Sequence, residues 1–311
     1  MSKYEVKNSI WFVLAEGIRI YFTNIDKFLI YMLFPVFGQV IGIALAFGLS
    51  LGFAPIVTAK TDSISMALLF VLLLALPGLL IFVKAFWDFM VAYVALNSMT
   101  EGAINTGKVY DFQSHNEVAT RRTFQFVMLL LLVGVLSSIG TSIFFIIPGF
   151  VIWIYFILIY HVFTFEPELS IPECFKRSFM LVRGNWLRTF ILMAILAFFS
   201  IYIITEGITV VFDYLSLTDK ICSLFTVISN TVPIELTNKA LAYFNMPIIT
   251  TEMISKTIFV SILSFIVTGL TLPIRSICWT LWYANLSKNN NPRTYSNKKN
   301  KKTKRDKYEE D

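Results

Sequence analysis

Charge is scarce in this sequence. Of 311 residues, 15% are Asp, Glu, Lys or Arg and 56% are hydrophobic, whereas a soluble domain carries about 25% charged residues. So few charges cannot cover a compact globule with polar surface. An ordinary soluble protein, a disordered chain and a nucleic-acid-binding module are therefore excluded. Catalytic side chains are scarce too. The two histidines, His115 and His161, stand in no HxE, HExxH or GxSxG context. No Walker sequence or GxGxxG occurs, which argues against ATP-driven transport by this chain alone. Cys174, Cys222 and Cys278 are far apart and lack CxxC spacing, so they indicate neither a disulfide framework nor a zinc site. No cofactor is implied, and the sequence reads as that of a non-enzymatic protein.

What is abundant is uninterrupted apolar sequence, and a helix needs about 20 such residues to cross a bilayer. Residues 28–59 and 63–83 carry no charge, and neither do residues 123–165, a run long enough for two spans. Residues 189–212 contain only Glu206 and residues 257–286 only Arg275. These runs predict an all-α polytopic membrane helix bundle with six transmembrane helices, at about 28–52, 65–97, 123–147, 149–166, 188–213 and 256–286. Pro148-Gly149 is expected to end the third helix and turn the chain. The second and sixth are too long for the hydrocarbon alone and are expected to run on past the headgroups. The first apolar run is too long for a cleaved signal peptide and reads as a signal anchor. The expected organisation is an amphipathic N-terminal segment (1–27), a membrane domain (28–286) and a tail (287–311). Between the fifth and sixth helices, the apolar run from Ile221 to Ile234 is too short to span and is expected to be re-entrant or surface-lying.

Lys and Arg are distributed unequally between the connecting segments. Residues 1–27, 99–122, 166–188 and the tail hold 20 of them, and the opposite side holds Lys60, Lys220, Lys239 and Lys256. This bias predicts that both termini are cytoplasmic. Each outward-going helix also follows a similar cytoplasmic stretch. At 170–188, Ser170 and Glu173 have capping-box spacing, with Phe175, Phe179, Val182 and Trp186 on one face and Glu173, Lys176, Arg177 and Arg183 on the other. At 8–23, Trp11, Leu14, Ile18, Tyr21 and Phe22 form an apolar set beside a polar stripe of Glu16, Arg19 and Thr23. At 114–123, Ser114 and Glu117 repeat the capping-box spacing. The pattern reads as three units, each an interfacial helix, an elbow and a transmembrane hairpin. Basic amphipathic linkers are also what positive-inside loops look like in general, and that reading stays open.

Ionisable residues at membrane depth are functional candidates. Lys84 and Arg275 each fall near the cytoplasmic boundary of a descending helix. Asp88 is four residues from Lys84, and Glu166 closes the fourth helix at similar depth. A cluster of Lys84, Asp88, Glu166 and Arg275 between the hairpins would hold a lipid phosphate or carboxylate. The alternative is that these side chains snorkel into the headgroup layer.

Two stretches carry a resemblance. One runs from Ile147-Pro148-Gly149 to Glu166 and on to Cys174-Phe175-Lys176-Arg177-Ser178-Phe179-Met180-Leu181-Val182-Arg183-Gly184-Asn185-Trp186. The other is Leu272-Pro273 with Thr280-Leu281-Trp282-Tyr283. Together they resemble bacterial six-helix membrane families that include the membrane domain attached to some glycerophosphodiester phosphodiesterases and related inner-membrane proteins. The resemblance covers about residues 8–290. It implies a six-helix fold in a bacterial inner membrane and a link to membrane lipid or envelope upkeep. No activity carries over, because this chain has neither the histidine and carboxylate ligands nor the length of the catalytic barrel.

The basic balance of the whole chain comes from its last residues. Lys298, Lys299, Lys301, Lys302, Lys304, Arg305 and Lys307 precede Glu309, Glu310 and Asp311. Such a polybasic, apolar-poor tail is expected to be disordered. It serves either as an anionic-lipid tether or as a topology determinant. The expected partners are membrane lipids, anionic ones first, and a membrane protein, with no nucleic acid. A small transporter or permease subunit is the alternative function. Near an anionic leaflet each cation contributes about 1 kcal/mol. Replacing the seven basic residues of 298–307 with glutamine should therefore release the isolated tail peptide from anionic vesicles in a flotation assay. Undiminished binding would reject the tether.

Overall fold

The computed structural model describes residues 9–60, 63–107, 109, 111–140, 146–230, 234–243 and 247–289. The tail from residue 290, with its seven candidate lipid-binding cations, lies outside the described residues. Among those described, the chain is helical and has no strand. Hydrocarbon accepts no unpaired backbone N–H or C=O, and an α-helix satisfies all of them internally.

The helices are α1 (Ile10–Thr23), α2 (Ile25–Lys60), α3 (Ile64–Thr106), α4 (Phe112–Thr120), α5 (Thr123–Gly140), α6 (Ile146–Phe156), α7 (Ile159–Phe165), α8 (Ile171–Val182), α9 (Trp186–Ala197), α10 (Ile204–Tyr214), α11 (Leu217–Leu224), α12 (Thr226–Ser229), α13 (Ile234–Tyr243), α14 (Thr251–Leu270) and α15 (Leu272–Asn289). A wider, π-helical stretch at Phe198–Ile203 joins α9 to α10. Five segments among the described residues are long and apolar enough to cross a membrane: Ile25–Val57, Ile64–Thr106, Pro148–Phe165, Trp186–Tyr214 and Thr251–Leu270. A sixth is reached if α4 and α5, bent by 74° at their junction, count as one. The protein is an all-α, polytopic membrane protein.

Several helix ends differ from those expected. Helix α5 is described to Gly140 and α6 from Ile146, so Pro148-Gly149 lies inside a helix rather than at a turn. Proline's missing N–H costs nothing in a first turn, which has no intrahelical acceptor for it. The sixth span is not continuous from 256 to 286. It breaks at Thr271, and α15 restarts with Pro273 in its first turn. Proline disfavours helical geometry at the residue before it and cannot continue the N–H ladder. As expected, α3 outruns the bilayer: its 43 residues extend about 64 Å at 1.5 Å per residue, against about 30 Å of hydrocarbon.

The chain forms two compact units. One contains Leu29–Phe89 and Met193–Leu272, and the other Met1–Phe28, Met90–Leu192 and Pro273–Asp311. In the first, α2 and α3 form a hairpin whose backbones almost touch. A Cβ added at Gly78 would collide with the Ala46 nitrogen and lie 2.5 Å from the Gly42 oxygen. A Cβ at Gly42 would lie 2.6 Å from the Phe82 nitrogen. Small residues allow such approach, and van der Waals contact is what holds helices together in lipid. The opposite faces carry exposed Leu68, Leu72, Leu80 and Val83, suited to acyl chains. Among the described residues of 217–243 no helix is long enough to span. Helices α11 and α12 pack on α14, with the Ser229 and Ser255 hydroxyls 2.7 Å apart in the interior.

In the second unit, three short helices stand directly before spanning helices, as the threefold pattern predicts: α1 before α2, α4 before α5 and α8 before α9. Their capping is less uniform than expected. At α8 the Ser170 amide and hydroxyl both donate to Glu173 Oε2, at 2.8 and 2.6 Å. Those bonds hold the Glu173 carboxyl below the usual carboxylate range. At α4 the helix starts at Phe112 after Asp111, so Ser114 is interior and caps nothing.

A methyl group or more at Gly78 must push backbone against backbone. Gly78→Val should cost about 1–3 kcal/mol and lower the thermal unfolding midpoint in detergent. Gly48→Val, which meets no atom within 4 Å, is the control. Equal midpoints for the two variants would refute the close packing.

Candidate functional site

The second unit gathers most of the buried polar side chains. Beyond Phe89, α3 buries Val91, Ala92, Val94, Ala95, Leu96, Met99 and Ala103. Its alanines admit neighbouring helices, and Asn97 and Thr100 are buried among them. Asn97 is the central residue. Its side-chain nitrogen donates to Thr164 Oγ1 at 3.3 Å, and its oxygen accepts from the Ser276 hydroxyl at 2.7 Å. Thr164 in turn donates to the Tyr160 carbonyl at 2.7 Å. The three side chains come from the C-terminal parts of the three returning segments, on α3, α7 and α15. Each proposed repeat thus supplies one member of a single buried hydrogen-bonded seam.

A second network lies on the same helices. Arg177 Nε donates to both oxygens of Glu166, at 2.9 and 3.1 Å, and the Tyr283 hydroxyl donates to Glu166 Oε1 at 2.7 Å. Both ionic partners are largely buried. The rings of His161 and Phe165 stack beside Tyr283, with centroids 6.3 and 5.2 Å away. Trp282 Nε1 donates to Thr189 Oγ1 at 3.1 Å, joining α15 to α9. Arg122, at the α4–α5 elbow, donates to the carbonyls of Phe163 and Pro167 and lies 4.0 Å over the Phe163 ring. It thereby satisfies carbonyls that the C-terminus of α7 leaves unpaired.

The four expected cluster residues have the following partners. Lys84 Nζ donates to Asp88 at 2.6 Å and lies 5.8 Å from the Phe34 ring centroid, all within the first unit. Glu166 belongs to the second unit and meets Arg177 and Tyr283. Arg275 is half-buried in the first turn of α15. The structure thus brings Lys84 to Asp88 as the i,i+4 spacing predicts.

Two residues lie on the face opposite to the one expected. Arg177, assigned to the outward polar face of α8, is buried with Cys174, Ser178, Leu181 and Val182. Glu16, assigned to a polar stripe on α1, is buried with Val13, Gly17 and Ile20, and it holds Arg19 at 2.6 Å. Asn97, Thr164 and Ser276 were not anticipated, and Trp282 and Tyr283 were named only within a stretch that carries the resemblance. For Asn97 a signal existed: a lone amide in the apolar run from Val91 to Met99 demands a buried partner. Thr164, Ser276 and Tyr283 are ordinary in sequence and become legible only once Asn97 and Glu166 have positions.

Chemically the site is built for cohesion. The Cys174 thiol is pushed up to about 11 by burial, so it is not a thiolate nucleophile near neutral pH. Burial likewise lowers the pKa of His115, whose Nδ1 lies 3.0 Å from the Ser98 hydroxyl. Among the described residues no three of His, Cys, Asp and Glu converge as metal ligands would. No known protein family, curated protein or solved structure matches the chain.

Removing the Glu166 charge leaves the Arg177 guanidinium buried without its counterion, a loss worth about 3–5 kcal/mol. Glu166→Gln should lower the unfolding midpoint steeply, and Glu166→Gln combined with Arg177→Met should recover much of the loss. Additive effects in that double-mutant cycle would show that the pair is not coupled.

Proposed function

We propose that this is a non-enzymatic protein of a bacterial inner membrane, with both termini cytoplasmic, that serves membrane lipid or envelope upkeep by holding anionic lipid headgroups around its elbow helices. One observation carries this reading: each elbow helix leads within one to three residues into a membrane-length or elbow-bent apolar helix, and each junction presents exposed cations. These are Arg19 and Lys27 at the first elbow, Arg121 at the second, and Arg183 and Arg188 at the third. Cations beside the start of a spanning helix stand at headgroup level, where phosphate adds to the carboxylates of Glu16, Asp26 and Glu117 that already meet Arg19, Lys27 and Arg121. The Lys/Arg bias of the connecting segments supports the orientation. The resemblance of residues 147–186 to bacterial inner-membrane families supports the setting.

A small transporter or permease subunit is the second reading, favoured by the buried Asn97–Thr164–Ser276 seam. Three returning helices meeting through polar groups form the kind of interior that a polar solute crosses. Against it, the repeats run parallel, whereas half-helices of inverted repeats meeting at mid-membrane are the usual transporter design.

Native mass spectrometry of the purified full-length protein separates the two. The lipid reading predicts co-purifying anionic phospholipid that is lost progressively in Arg121→Gln, Arg183→Gln and Arg188→Gln, singly and combined. Retention of the same lipid by the triple variant would reject it.

A further inference from the structure

Helix α1 is apolar on two faces, and the protein uses one of them. Val13 and Ile20 are buried, and a Cβ on Gly17 would lie 2.5 Å from the Cys278 sulfur of α15. The Cys278 thiol also points at the Val13 carbonyl, 3.9 Å away. The other face carries Trp11, Ile18 and Phe22, which are 72%, 45% and 63% exposed. At positions i, i+7 and i+11 these three share a stripe about 40° wide. Arg19, whose side chain is 59% exposed, flanks them.

The elbow fixes where that stripe points. Asn24 alone separates α1 from α2. Its side-chain amide donates to the Ile20 carbonyl at 3.1 Å and its backbone N–H to the Tyr21 carbonyl at 3.2 Å. The Tyr21 ring stacks on Phe28, in the first turn of α2, with centroids 6.2 Å apart. A stripe locked beside the start of a spanning helix lies at the edge of the hydrocarbon. Tryptophan and phenylalanine beside an arginine suit that depth: the rings enter the acyl boundary and the guanidinium stays with the phosphates.

We propose that Trp11, Ile18 and Phe22 form a wedge inserted into the phospholipid leaflet that borders the elbow helices. Its partner is the lipid surface itself. The wedge keeps α1 parallel to that surface while its buried face holds α15. This rests on the elbows facing lipid, as proposed above, but it depends on apolar insertion and not on headgroup charge.

The test uses the full chain reconstituted in vesicles of zwitterionic phosphatidylcholine, without anionic lipid. Tryptophan emission of the wild type minus that of Trp11→Phe isolates Trp11. The wedge predicts a difference emission that is quenched by lipids brominated near the headgroup end of the chain and unaffected by aqueous iodide. A second reporter, Phe22→Trp in the Trp11→Phe background, should behave in the same way. Quenching by iodide would overturn the proposal by placing the stripe in water. Quenching by neither agent would overturn it by showing that protein covers the stripe. Anionic-lipid capture is read separately, by lipid co-purification with the arginine variants, so either reading can fail without the other.

Discussion

A hydrocarbon solvent leaves polar groups no partner but the protein's own. Along the backbone this constraint permits helices and, among the described residues, nothing else. For side chains it is harsher, because an amide, a guanidinium or a carboxylate that enters the interior must bring its counterpart. Asn97 is met by Thr164 and Ser276, and Arg177 by Glu166 and Tyr283. These pairings link α3, α7, α8 and α15 in one unit. In the other unit the α2–α3 hairpin uses glycine contact, which needs no polar group at all.

The seam also gives the threefold pattern a physical form. Asn97, Thr164 and Ser276 stand on α3, α7 and α15, one in each segment that the threefold reading takes as returning. Thr164 and Ser276 converge on Asn97, and of the elbow cations Arg121 and Arg183 are exposed while Arg177 is buried against Glu166. The described residues thus combine a buried polar seam with exposed cations at the elbow junctions.

The spans were legible because charge-free runs of 20 to 43 residues leave few alternatives in water. The three elbow helices were legible from helical periodicity and, at α8, from the Ser170–Glu173 spacing. Helix ends were less so. Proline serves a first turn as well as it ends a helix, so Pro148 was misread as a stop, while the break before Pro273 was passed over. Amphipathic faces failed at Glu16 and Arg177, which periodicity assigns to solvent: Arg177 is buried with Glu166, eleven residues away in sequence, and Glu16 is buried while its partner Arg19 reaches the surface. The seam was hidden for a related reason. Its hydroxyls lie more than 60 residues from Asn97, and a threonine or serine in an apolar helix bonds its own backbone just as readily.

The proposed topology puts the three elbows at one membrane face, opposite the connections that follow α2 and α10. Single cysteines placed at Arg121, Arg183, Lys60 and Lys239 in the full-length protein, labelled in sealed vesicles with a membrane-impermeant maleimide, test it directly. Cysteines at Arg121 and Arg183 are expected to react from one side, and those at Lys60 and Lys239 from the other. Labelling of Arg183 and Lys60 positions from the same side would contradict it.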